Sequence, residues 1–155
     1  MTVRFSAIVG IVVVAAVITV VGGWWWLQRD RREIRPTDQA QVSLGEAVYR
    51  ERCANCHGAD LEGQPNWRIR MPNGRLPAPP HDGSGHTWHH PDEVLFDITK
   101  QGLRPFAPPG YQSDMPAFEG VLRDEEIRAV IAYIMSRWPE EILRRQQRID
   151  RQAAQ

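Results

Sequence analysis

The chain has 155 residues, room for one domain with appendages, and balances 19 basic against 19 acidic residues, so nothing in the bulk charge suggests nucleic acid and no such partner is expected. No internal period suggests a repeat architecture. Most of the 12 prolines and 12 glycines fall between Gly58 and Gly120, which predicts a loop-rich middle between helical flanks.

The first expected element is apolar. From Phe5 to Leu27 the chain carries no charge and is dominated by Val, Ile, Ala and Gly. As a helix this run would reach about 35 Å, enough for a hydrocarbon core of about 30 Å, so a single transmembrane helix is expected, with 1–28 as an anchor. Trp24, Trp25 and Trp26 suit the headgroup layer, and the charged stretch Gln28 to Arg32 ends the run. The alternative is a cleaved signal peptide, but its apolar region is normally shorter, and Val21-Gly22-Gly23 is only a weak cleavage candidate. Residues 29–41 read as a polar tether, with Thr37 or Asp38 opening the next helix.

That helix carries Val42, Leu44, Ala47 and Val48, with Gly45 and Tyr49 at i and i+4 on one face. It leads into Cys53-Ala54-Asn55-Cys56-His57. Two thiols three apart, followed at once by an imidazole, can clip both vinyl groups of a haem and supply its proximal iron ligand. A redox dithiol would need a βαβ context, and half a zinc site would need a second ligand pair. The two cysteines are the only ones in the chain, and neither context is present.

Gly58 to His90 shows neither helical nor strand periodicity and should wrap the haem as loop. Pro91-Asp92-Glu93 opens a short helix that ends at Gly102, and a second proline-rich loop follows, containing Met115-Pro116-Ala117-Phe118. Asp124-Glu125-Glu126 opens a closing helix with an apolar face of Ile127, Val130, Ile131, Ile134 and Met135, stopped by Pro139. The arginine-rich segment 140–155 has only three apolar anchors and is expected to fray as a polar tail, the alternative being a surface helix returning to anionic headgroups.

Gly45 and Tyr49 ahead of Cys53-Ala54-Asn55-Cys56-His57-Gly58, then Met115-Pro116-Ala117-Phe118, then Ala132-Tyr133 in the closing helix, stand in an order that resembles the class I c-type cytochromes, here in a membrane-anchored bacterial form with one haem. The resemblance covers roughly Val42 to Trp138. It implies an all-α fold, a cytochrome c-like haem domain over 42–139 preceded by the transmembrane helix, in which first and last helices cross and Gly45 and Tyr49 pack near Tyr133. The family often caps its last helix with Ser; this chain has Arg123 there, leaving Asp124 as the expected cap.

The resemblance implies one covalently attached haem c, bound through Cys53 and Cys56, with His57 as an axial iron ligand. For the sixth position the candidates are Met71, Met115, His81, His86, His89 and His90; the place of Met115 on a loop between two helices, stiffened by Pro116, favours it. The stretch His81 to His90 is expected to serve haem propionates and cap the next helix, with a copper or zinc site as its alternative. Trp88, Arg75 and Tyr111 are the expected propionate contacts, with Arg68 and Arg70 as rivals. No catalytic residue is expected: the resemblance implies an electron carrier, not an enzyme by itself, in a respiratory chain. Its expected partners are a quinol–cytochrome c reductase-like donor and a terminal oxidase-like acceptor. The alternatives are a haem subunit fixed in a larger oxidase or dehydrogenase, and a haem- or copper-handling protein. Arg29, Arg31, Arg32 and Arg35 would favour a cytoplasmic domain by the positive-inside rule. Covalent haem attachment, completed on the outer side of the cytoplasmic membrane, implies that the domain faces the periplasm. A single lysine, Lys100, excludes the lysine ring with which many soluble cytochromes meet acidic partners.

Overall fold

The computed structural model describes residues 17–25 and 33–155. The chain divides into two compact units, Met1–Glu33 and Ile34–Gln155. In the first, residues 17–25 are helical. Among the described residues no helix is long and apolar enough to cross a membrane. This corrects the expected single transmembrane helix. Apolarity is a property of the run from Phe5 to Leu27, but a span also needs a continuous helix of that length, and the remainder of the run, with Trp26 and most of the expected stop signal, lies outside the described residues.

The second unit is all-α. Its helices are α1 (Gln39–Arg52), α2 (Ala54–His57), α3 (Asp92–Gln101), α4 (Asp124–Ser136) and α5 (Glu140–Ala153), with 3-10 turns at Thr87–His89 and Arg104–Phe106. Asp38 caps α1, its carboxylate accepting from the Ala40 and Gln41 amides at 3.0 and 3.3 Å. Ile34, in the stretch expected as tether, is buried in the core.

The core is the crossing of α1 on α4. A Cβ on Gly45 would stand 1.9 Å from the Ala129 carbonyl oxygen and 2.9 Å from Tyr133 Cβ, so only glycine lets the two backbones meet there. Val48 and Tyr49 follow on the same face, and the Tyr49 ring lies 5.4 Å from that of Tyr133. In α4 every residue from Ile127 to Met135 is buried, because α1 covers one side and α3 another, where Arg128 lies over the Phe96 ring. The start of α4 corrects the cap: Arg123 is extended at φ −73°, ψ 154°, and Asp124 is already helical. The Glu126 carboxylate turns back to accept from the Arg123 amide at 2.8 Å, a service no serine is needed for.

Between α2 and α3 the chain is loop apart from Thr87–His89, as the prolines require. The segment 140–155 differs from the expected frayed tail. It forms α5 up to Ala153, with Ile142 and Leu143 packed on the core and Gln146 fully buried. The Gln146 amide donates to the Asp92 carboxylate at 2.7 Å and to the His90 carbonyl at 3.3 Å, while Asp150 accepts from the Asp92 amide at 3.0 Å. Polar docking of this kind leaves little apolar signature.

Candidate haem-binding site

Cys53 ends α1 and opens α2, so the two thiols and His57 share one short, tightly wound segment. Both cysteines are free thiols; Cys53 packs against the core and Cys56 is exposed. Burial, with Cys56 close by, pushes the Cys53 thiol up to about 11.

His57 is buried at 8% exposure, and burial keeps its pKa below the ordinary value, so the ring is neutral. Its Nδ1 lies 2.9 Å from the Pro79 carbonyl oxygen. A carbonyl only accepts, so Nδ1 carries the hydrogen and Nε2 keeps a free lone pair, the tautomer a metal ligand needs. Pro79 is delivered by a close approach of two loop strands: a Cβ on Gly63, itself at φ +70°, would meet the Pro79 carbonyl carbon at 2.6 Å and the Pro80 nitrogen at 2.4 Å. The Tyr49 hydroxyl donates to the Gly58 carbonyl at 2.9 Å and ties the end of the motif to α1.

Met115 is half-buried on the loop before α4. Its amide donates to the Ser113 hydroxyl at 3.0 Å, Asp114 pairs with Arg75, and the Phe118 amide donates to the Lys100 carbonyl at 3.0 Å, so the loop is pinned on both sides of the thioether. Met71 instead belongs to a tight turn, its amide donating to the Arg75 carbonyl at 2.8 Å.

The histidines of the loop are engaged in ring contacts, His86 meeting His90 edge-on with centroids 5.8 Å apart. His86 stacks on Trp67, His89 sits edge-on to Trp88, and His81 stacks on His57. Among the described residues no group of three or more His, Cys, Asp or Glu is placed to hold a metal ion, so the copper or zinc alternative finds no ligand set there. Of the expected propionate contacts, Trp88 is buried and its Nε1 has no hydrogen-bond partner, a donor that a carboxylate would satisfy. Arg75 is engaged by Asp114, and Tyr111 lies under Arg70, whose guanidinium is 5.7 Å from its ring.

Free thiols on one helical turn, a neutral histidine with one nitrogen tied, and an orphaned buried indole N–H fit a covalently held haem. Sequence reasoning missed the Pro79 carbonyl and the packing of Arg145 over the Trp88 ring, 4.6 Å away. The Pro79-Pro80 pair was a signal for the first; for the second there was none. Residues 40–134 match the family model described as cytochrome C oxidase, cbb3-type, subunit III. No curated protein and no solved structure matches the chain.

Proposed function

We propose a function from one premise: the chain belongs to the family described as cytochrome C oxidase, cbb3-type, subunit III, and is a class I c-type cytochrome carrying covalently bound haem c. It relays single electrons between protein redox partners in respiration, on the periplasmic side. Cys53 and Cys56 would hold the haem by thioether bonds, His57 and Met115 would bind its iron, and Trp88, Arg75 and Tyr111 would serve its propionates. The observation that carries this reading is the bond from His57 Nδ1 to the Pro79 carbonyl, immediately after the paired thiols.

When bound, haem c supplies one-electron iron redox chemistry. The residues of the chain make that chemistry reversible. The tied His57 ring would present its lone pair to the iron, and a Met115 thioether would favour the reduced form, which would make the potential positive. Packing around the α1–α4 crossing resists rearrangement as charge changes.

The family description favours a haem subunit working within an oxidase assembly over a freely diffusing carrier; the donor we propose is quinol–cytochrome c reductase-like. The absence of a lysine ring agrees, since Lys100 is itself paired with Asp124 at 2.8 Å. Purification from native membranes and periplasm decides: co-elution with oxidase subunits in fixed ratio supports the subunit, and elution alone supports the carrier. For the site, Cys53→Ala or Cys56→Ala should leave at most one thioether, with a shifted reduced α-band. Met115→Ala should abolish the weak far-red band of ferric thioether ligation and lower the potential; loss of that band in Met71→Ala instead would move the ligand.

A further inference from the structure

We infer that His81 is a positioning residue for the His57 imidazole, which it holds by ring stacking; this rests on His57 being the proximal ligand. The two ring centroids are 4.0 Å apart and the planes are inclined by only 22°. The Pro79 carbonyl holds His57 by one edge, and a single hydrogen bond tolerates a broad range of angles, leaving the ring able to rock about the N–H···O line. A flat ring against its face removes that freedom.

The stacked ring is itself held. His81 Nδ1 lies 2.8 Å from the Thr87 hydroxyl, its amide donates to the Leu61 carbonyl at 2.7 Å, and its carbonyl accepts from Trp138 Nε1 at 2.7 Å. The Tyr49 ring meets it edge-on, with centroids 6.5 Å apart. Thr87, Trp138 and Tyr49 are all buried, so no partner in this set has room to drift. His57 is thereby clamped on an edge by one loop residue and on a face by another, and the second clamp is tied to Trp138 just beyond the closing helix. The plane of an axial imidazole governs the electronic anisotropy of a low-spin ferric centre, so a clamp on that plane has a spectroscopic signature that stability alone does not.

The test uses the full-length holoprotein, low-temperature EPR of the ferric form, hyperfine-shifted proton NMR of the His57 ring, and reduction potential. His81→Ala should broaden and shift the EPR g values and displace the His57 resonances. His81→Phe, which keeps a flat face, should restore both toward the parent values. Thr87→Val keeps the ring but cuts its tether and should shift the same signals in the direction of His81→Ala, by less. If His81→Ala yields holoprotein with parent g values and shifts, the inference is wrong; if it yields no holoprotein, parent signals in Thr87→Val overturn it instead. His57→Ala separates the two readings: retention of the low-spin spectrum there overturns His57 as ligand, whereas its loss alongside unchanged His81→Ala signals overturns only the clamp.

Discussion

Helices α4 and α5 are separated by only Arg137, Trp138 and Pro139, yet they are attached to the domain by different physics. α4 is buried along nine consecutive residues, Ile127 to Met135, and is held by apolar contact and by backbone touching backbone at Gly45. α5 has one fully buried residue, Gln146, and is held by hydrogen bonds among Gln146, Asp92, Asp150 and the His90 carbonyl. Apolar burial is indifferent to pH and spread over many atoms. A buried polar cluster concentrates its contribution in a few bonds, and each lost partner leaves another stranded. The first attachment should therefore fail globally and the second locally.

The largest expected effect is Gly45→Val, which places side-chain atoms inside the Ala129 carbonyl and should cost more than about 4 kcal/mol or prevent holoprotein formation. Denaturant unfolding of the holoprotein measures it; a loss under about 1 kcal/mol would mean that the crossing is looser than described. Next, Gln146→Ala should cost about 1–3 kcal/mol, because it removes the donor to Asp92 and to the His90 carbonyl. Hydrogen exchange should speed up in α5 and stay slow in α4, and equal acceleration in both would erase the distinction between them.

The third effect is pH. Burial, with Asp150 next, pushes the Asp92 carboxyl up to about 6, against the lowering influence of the Gln146 hydrogen bond and Arg128; Glu93 adds to the rise. A carboxyl with a raised folded value binds its proton more tightly when docked, so its contribution is complete below about pH 4 and is lost as pH rises to about 6. After allowance for partial solvent screening the loss should be about 1–2 kcal/mol. Hydrogen exchange of α5 read across that window should show opening with rising pH, and Asp92→Asn should flatten the profile. Smallest is Arg145→Ala, which removes the guanidinium over the Trp88 ring and should loosen α5 by about 0.5–1 kcal/mol, read as the same exchange difference.

The Cys53-to-His57 turn and the boundaries of α3 were legible because each leaves a local mark, Pro91 at a start and Gly102 at an end, whereas the α1–α4 crossing came from the family resemblance, with Gly45 marking only a place where a helix could approach. The cap of α4 was misassigned because Arg123 is an unusual residue for it, and what identifies the cap is the return of the Glu126 carboxylate. The transmembrane helix was expected from hydropathy, which registers how apolar a run is and not the length of a helix; among the described residues no helix is long and apolar enough to cross a membrane. α5 was read as fraying because Gln146, Asp92 and Asp150 look like solvated surface until their partners are known.

By itself the sequence determined the chemistry offered at the site, since thiols, imidazole and thioether are properties of Cys53, Cys56, His57 and Met115 wherever the chain carries them. It determined as well which segments could be helices, because hydrophobic period and proline placement act over a few residues. Only the tertiary structure decided which nitrogen of His57 stays free, through the Pro79 carbonyl, and which ring lies against its face, through His81. It alone turned a polar tail into a docked helix. These outcomes depend on groups far apart in the chain being brought within hydrogen-bond or stacking distance, and no local pattern encodes that distance.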